Sequence, residues 1–168
     1  MSKSRFTPRQ LALSGIIAGI YAALTLLLPI PQYHGIQLRV AEAMTLLPFL
    51  IPSAGPGLAM GCFLANLLGS PFVLDWIFGT LATLLAAVWT RHTRRKWLVP
   101  LPPVICNTLI IPAVTALQTT VLFSTAFWST FIWNAFTIGL GELAACYILG
   151  GLLLARLPKI TPLKRYFS

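Results

Sequence analysis

Charge is almost absent from two long stretches of this chain. Between Arg9 and Arg91 stand only three charged residues, Arg39, Glu42 and Asp75, and between Lys96 and Arg156 only Glu142. Apolar runs of about 20 residues cross the hydrocarbon core of a bilayer as helices, because a helix satisfies its own backbone hydrogen bonds where no water is present. The charged share of 9% over 168 residues contrasts with about 25% in soluble domains. An all-α integral membrane bundle is therefore expected. Six spans are read, at about 10–31, 40–52, 55–70, 75–90, 98–122 and 130–155. The second is short and limited by Pro48 and Pro52. No low-complexity segment or internal repeat appears, so residues 1–168 read as one transmembrane domain.

The basic residues fall in three clusters at the ends of apolar runs. Lys3, Arg5 and Arg9 precede the first span. Arg91, Arg94, Arg95 and Lys96 follow the fourth, and Arg156, Lys159, Lys164 and Arg165 follow the sixth. Four spans and then two separate the clusters, so all three share one side, and the positive-inside rule makes both termini cytoplasmic. The net charge of +9 is accounted for in this way and does not point to nucleic acid. The segment "SKSRFTPRQ" is basic, but the run after it has no cleavage-like site followed by a soluble domain, so no signal peptide is expected. This orientation places Arg39, Glu42 and Asp75 at the outer side, with Trp128 and Trp133 near the outer start of the sixth span.

Small residues recur at helical spacing. The third span carries Gly57, Gly61, Ala65 and Gly69, and the fourth Gly79, Thr83 and Ala87. Such stripes allow close helix approach and are expected to pack internally. The first span has two adjacent stripes, Gly15, Gly19 and Ala23 beside Ser14, Ala18 and Ala22. One can face inward and the other a partner protein. Cys62, Cys106 and Cys146 are far apart in apolar segments, without metal-site spacing, and read as packing residues. No metal and no cofactor is expected.

Ionisable residues within membrane spans are candidates for function by default. Glu142 is the clearest. Asn134 lies eight residues before it, about 80° around a helix, so the two can flank one cavity. The alternative for Glu142 is a structural hydrogen bond to a neighbouring helix. Asn107 and Gln118 lie about 20° apart around the fifth span and share a face, with Pro112 between them expected to bend or locally open the helix. Their amides offer donors and acceptors, which suits a flat heterocycle, or they join helices. Asn66 is a weaker case of the same kind. Arg39 and Glu42, three apart, can pair with each other near the outer interface. Asp75, followed by Trp76, can serve a ligand or cap the fourth helix. His34 and His92 fall in loops. The chain has no H-E-x-x-H, no G-x-S-x-G and no phosphate-cradling loop. It is not read as an enzyme, and it cannot drive transport with ATP by itself. Polar groups facing a small membrane cavity, with aromatic residues nearby, suit a small, largely neutral, planar ligand.

Four stretches carry a resemblance: "QLRVAEAMTLLPFL", "PGLAMGCFLANLLG", "DWIFGTLATLLAA" followed by a basic loop, and "IWNAFTIGLGE". In this order, over roughly residues 10–155, they resemble the QueT family of substrate-binding S components of energy-coupling factor (ECF) transporters, associated with uptake of queuosine precursors. The resemblance implies a six-helix bundle in a bacterial cell membrane with both termini inside. It also implies a vitamin-like substrate bound near the outer face, and docking on a transmembrane T subunit with two cytoplasmic ATPases, where the S component topples to release its substrate inward. A small stripe in the first helix serves docking in the family; Ala18 and Ala22 match it here, with Ser14 and Gly15 extending it. The loop after the first helix often acts as a lid, which would make Arg39 and Glu42 a ligand clamp or the latch of that lid. The implied ligands are 7-cyano-7-deazaguanine and its 7-aminomethyl relative. Glu142 or Glu42 would accept from the guanine-like edge. Asn134 or Asn107 would serve the carbonyl, and Trp76, Trp133 or Tyr147 would stack on the ring. Asp75 would meet the aminomethyl charge. An S component for another vitamin or nucleobase, or a ligand-free membrane scaffold, are the alternatives.

Overall fold

Thr7 starts the first helix by a reciprocal cap. Its Oγ1 accepts the Gln10 N–H at 3.3 Å, and Gln10 Oε1 accepts the Thr7 N–H at 3.0 Å. Two backbone donors that the helix leaves open are thereby satisfied, and Pro8 fills a position where no donor is needed. The computed structural model describes residues 7–28 and 39–159, and this helix runs Pro8–Leu27. The expected end of the first span near residue 31, the loop holding His34, and the basic residues Lys3, Arg5, Lys164 and Arg165 lie outside the described residues.

The second helix, Val40–Phe49, is wound as a 3₁₀ helix rather than the α-helix anticipated. Ten residues then span about 20 Å instead of about 15 Å. A segment limited by Pro48 and Pro52 thus stretches far enough to thread the bundle. Ala41 through Pro48 are all buried, so this segment is the core rather than a lipid-facing wall.

The third helix is Ala54–Gly69. The fourth covers 75–92, a π-helical turn Asp75–Gly79 running into Thr80–His92. After the turn Lys96–Leu98 comes the fifth, Leu101–Thr119, which continues unbroken through Pro112. The sixth occupies Thr125–Lys159 and contains a second π-helical stretch, Ala144–Gly150. The six helices correspond to the six spans, and no strand occurs among the described residues. The first, fifth and sixth are each long and apolar enough to cross a membrane; the second and third are shorter apolar helices. Leu11, Ile16, Leu68, Ile132, Phe136 and Ile148 stand exposed on the outside. A helical bundle that is apolar outside as well as inside is a membrane bundle.

Chain direction alternates. The start of the first helix, the turn after the second, the turn at 93–98 and the end of the sixth share one end, here called the basic end. Residues 39, 70–75 and 119–125 lie toward the opposite end.

The glycine stripe of the third helix packs internally, as expected from its spacing. A Cβ on Gly61 would stand 2.7 Å from the Ala18 carbonyl oxygen and 2.9 Å from the Tyr21 Cβ, and one on Gly57 would strike the Ser14 backbone. Ser14 Oγ also donates to the Ser53 carbonyl at 3.0 Å. The Ser14/Ala18 stripe of the first helix therefore faces inward. Around this contact Ile17, Tyr21, Met44, Leu47, Leu58 and Cys62 form the main apolar core.

Candidate binding site

A polar cluster sits inside this apolar bundle. Its floor is Glu42, 1% exposed, carried by the first turn of the second helix. Tyr21 Oη, from the first helix, donates to Glu42 Oε1. Glu42 Oε2 is buried and has no hydrogen-bond partner among the described residues. Facing it are Glu142 and Asn107. Asn107 Nδ2 donates to Glu142 Oε1 at 3.0 Å. Cys146, one turn further on, places its sulfur 3.7 Å from both Glu142 Oε2 and the Glu42 carbonyl. Arg39 is buried at the start of the second helix, and its charge acts on both carboxyls. Two carboxyl groups, one guanidinium, an amide, a phenol and a thiol thus converge from four helices.

The winding of the helices puts them there. The second helix turns both Arg39, at its start, and Glu42, in its first turn, into the bundle, where they are 7% and 1% exposed. The sixth helix loosens into its π-helical stretch directly after Glu142. Such wide turns occur frequently at functional sites. Gly150, in that stretch, lets the sixth helix close on the second: a Cβ there would lie 2.7 Å from Leu46 Cδ2.

A second polar group lies toward the opposite end. Asp75 Oδ1 accepts from Gln118 Nε2 at 2.7 Å, and Oδ2 accepts from Ser70 Oγ. Asn66 Nδ2 donates to the Asp75 carbonyl at 3.1 Å, and Trp76 Nε1 to the Ser70 carbonyl at 3.0 Å. Asp75 joins the third, fourth and fifth helices and is not an N-cap; no side-chain cap bond is present there. Ala82, Ile111 and Ile138 form an apolar layer between this group and the Glu42 cluster.

The residues anticipated from sequence divide accordingly. Glu42, Arg39, Asn107 and Glu142 are brought together. Asn134 is 3% exposed and lies on the inward face of the sixth helix, with Ile138 and Glu142, about 12 Å nearer the opposite end than Glu142. Asp75 and Trp76 belong to the second group. Trp133 is 60% exposed and turned outward beside Ile132 and Phe136, away from both groups. Tyr147 lines a groove at the basic end. Of the docking residues, Ser14 and Ala18 are packed against the third helix, Ala22 is half-buried, and Gly15 is open, with nothing within 4 Å of where its Cβ would stand. Tyr21, Cys146 and Ser70 were not anticipated in either group. A polar tyrosine in an apolar helix and a cysteine one turn beyond Glu142, read from sequence as a packing residue, are the signals by which the first two could have been found.

Searches of curated proteins and of solved structures returned no match. A family model does match, described as the QueT transporter, over residues 11–159. That span takes in both polar groups and all six helices, makes this membrane bundle a transport component rather than an enzyme, and shows that the chain belongs to the QueT transporter family.

Proposed function

We propose that this protein is the substrate-binding subunit of an ECF-type importer and that its ligand is a queuosine precursor, 7-cyano- or 7-aminomethyl-7-deazaguanine. The observation that carries the proposal is the buried Glu42 Oε2 without a hydrogen-bond partner, set beside the Asn107–Glu142 pair. A buried carboxylate oxygen left open is strongly unfavourable unless something donates to it. The guanine-like edge carries two parallel N–H donors, the pattern that a carboxylate accepts best. Glu42 or Glu142 takes that edge, with Asn107 or Asn134 at the ring carbonyl and Arg39 offsetting the second carboxyl.

The ligand approaches from the opposite end, which on the positive-inside rule is the outer face of a bacterial cell membrane. Asp75 and Trp76 hold the helices that border this route. The outward stripe of Gly15 and Gly19, rather than Ser14 and Ala18, meets a transmembrane partner, and partner ATPases supply the energy.

Equilibrium binding to the purified protein tests the reading, with 7-cyano-7-deazaguanine, 7-aminomethyl-7-deazaguanine, guanine and a set of vitamins as ligands. Saturable binding of a deazaguanine, with guanine much weaker, is the expected result. Binding of a vitamin instead keeps the transport role and replaces the substrate. Absence of saturable binding to all of them, in folded protein, overturns the reading.

A further inference from the structure

At the basic end a groove of about 490 Å³ opens between the end of the second helix, the turn before the fifth and the last third of the sixth. This volume is within the ~300–1,000 Å³ of small-molecule sites. Phe49, Leu50, Trp97, Tyr147 and Leu154 make its walls, and Lys96 stands at its rim. Gly151 lies in the lining, and nothing is found within 4 Å of where its Cβ would stand. That missing side chain keeps the groove open.

Charge surrounds the rim with one sign. Arg95 precedes Lys96, Arg156 follows the lining residue Ala155, and Lys159 follows the lining residue Pro158; all are exposed, as is Arg94. The chain has three acidic residues, Glu42, Asp75 and Glu142, and all three belong to the internal polar groups described above. None lines the groove. Trp97, 64% exposed, stands where apolar wall meets basic rim, the position that tryptophan takes at a membrane–water boundary.

We infer that this groove holds one acyl chain of an anionic phospholipid, whose headgroup phosphate sits among Arg94, Arg95 and Lys96. Apolar walls match the chain, and the basic rim matches the phosphate; basic pockets between helices at a membrane face bind acidic headgroups in this way. The site is separate from the Glu42 cluster, so its test does not depend on the substrate.

The test uses the delipidated full-length protein, native mass spectrometry, and phosphatidylglycerol or phosphatidylcholine with the same acyl chains. The wild type is expected to retain one phosphatidylglycerol with a preference of about tenfold or more, since each basic residue near an anionic headgroup favours it. Replacing Arg94, Arg95 and Lys96 together by Gln removes the preference. These side chains are exposed, so the fold survives. Gly151→Leu fills the groove and lowers retention of both lipids. Equal retention of the two lipids by the wild type, or full retention in Gly151→Leu, overturns the inference. So does capture of a protein subunit, rather than lipid, by a photo-crosslinking residue in place of Trp97.

Discussion

Asn107 on the fifth helix donates to Glu142 on the sixth at 3.0 Å, with both side chains buried. The bond fixes one oxygen of Glu142 and aims the carboxyl toward Glu42. Glu142→Gln keeps the volume and one acceptor but loses the charge and one acceptor site. Affinity for the proposed deazaguanine ligand is expected to fall at least about tenfold, or 1.4 kcal/mol. Unchanged affinity in equilibrium titration would remove Glu142 from the site.

Tyr21 and Glu42 give a contrast between stability and binding. Tyr21→Phe deletes the hydroxyl that donates to Glu42 Oε1. Leaving a buried acceptor short of its donor costs about 1–3 kcal/mol, to be seen as a lower midpoint in detergent unfolding. Glu42→Gln turns one acceptor into a donor at the position assigned to the ligand, and the expected loss is in affinity. If Glu42→Gln binds as tightly as wild type, the ligand does not use Glu42.

Asp75 has both carboxylate oxygens engaged by donors, Gln118 and Ser70. In Asp75→Asn an amide meets one of these donors, which leaves a mismatched pair in a partly buried place. Stability should drop by about 1–3 kcal/mol. Gln118→Ala in the Asp75→Asn background should add less than it does alone, since the two residues share one interaction. Simple additivity in unfolding experiments would show that the pair does not couple.

Gly15 and Gly19 have open space where a side chain would go. Gly15→Leu and Gly19→Leu are therefore expected to leave ligand binding by the isolated protein unchanged. They should block co-purification with a transmembrane partner and abolish ATP-dependent uptake. Normal uptake in the double variant would place docking on another face.

Much of the architecture was legible because charge is so scarce. A lone Glu142 in a long apolar run must face the interior, and it does. Burial was harder to read. The positions of the basic clusters put Arg39 and Glu42 at the start of the second span, but nothing local in the sequence shows that both side chains turn into the bundle, 7% and 1% exposed. Helical phase was harder still. Trp133 and Asn134 are consecutive, about 100° apart on a helix, so when Asn134 faces inward Trp133 must turn to the outside. In a membrane helix, apolar on all sides, no hydrophobic stripe announces which neighbour wins. The two small stripes of the first helix posed the same problem, and Gly57 and Gly61 on the third helix decide it in favour of Ser14 and Ala18. Partners far apart in sequence, such as Gln118 and Asp75, carry no local signal at all.

The contact at Gly61 also sets limits on how this sequence can drift. Most crowded positions tolerate a larger residue when a neighbouring side chain is trimmed to match. Here the nearest neighbour is the Ala18 carbonyl oxygen, and a backbone atom cannot be made smaller by substitution. Any side chain at position 61 must displace a whole helix, and with it Tyr21 and the hydroxyl that holds Glu42. Mutational freedom at the glycine is thus tied to the geometry of a carboxylate it never touches.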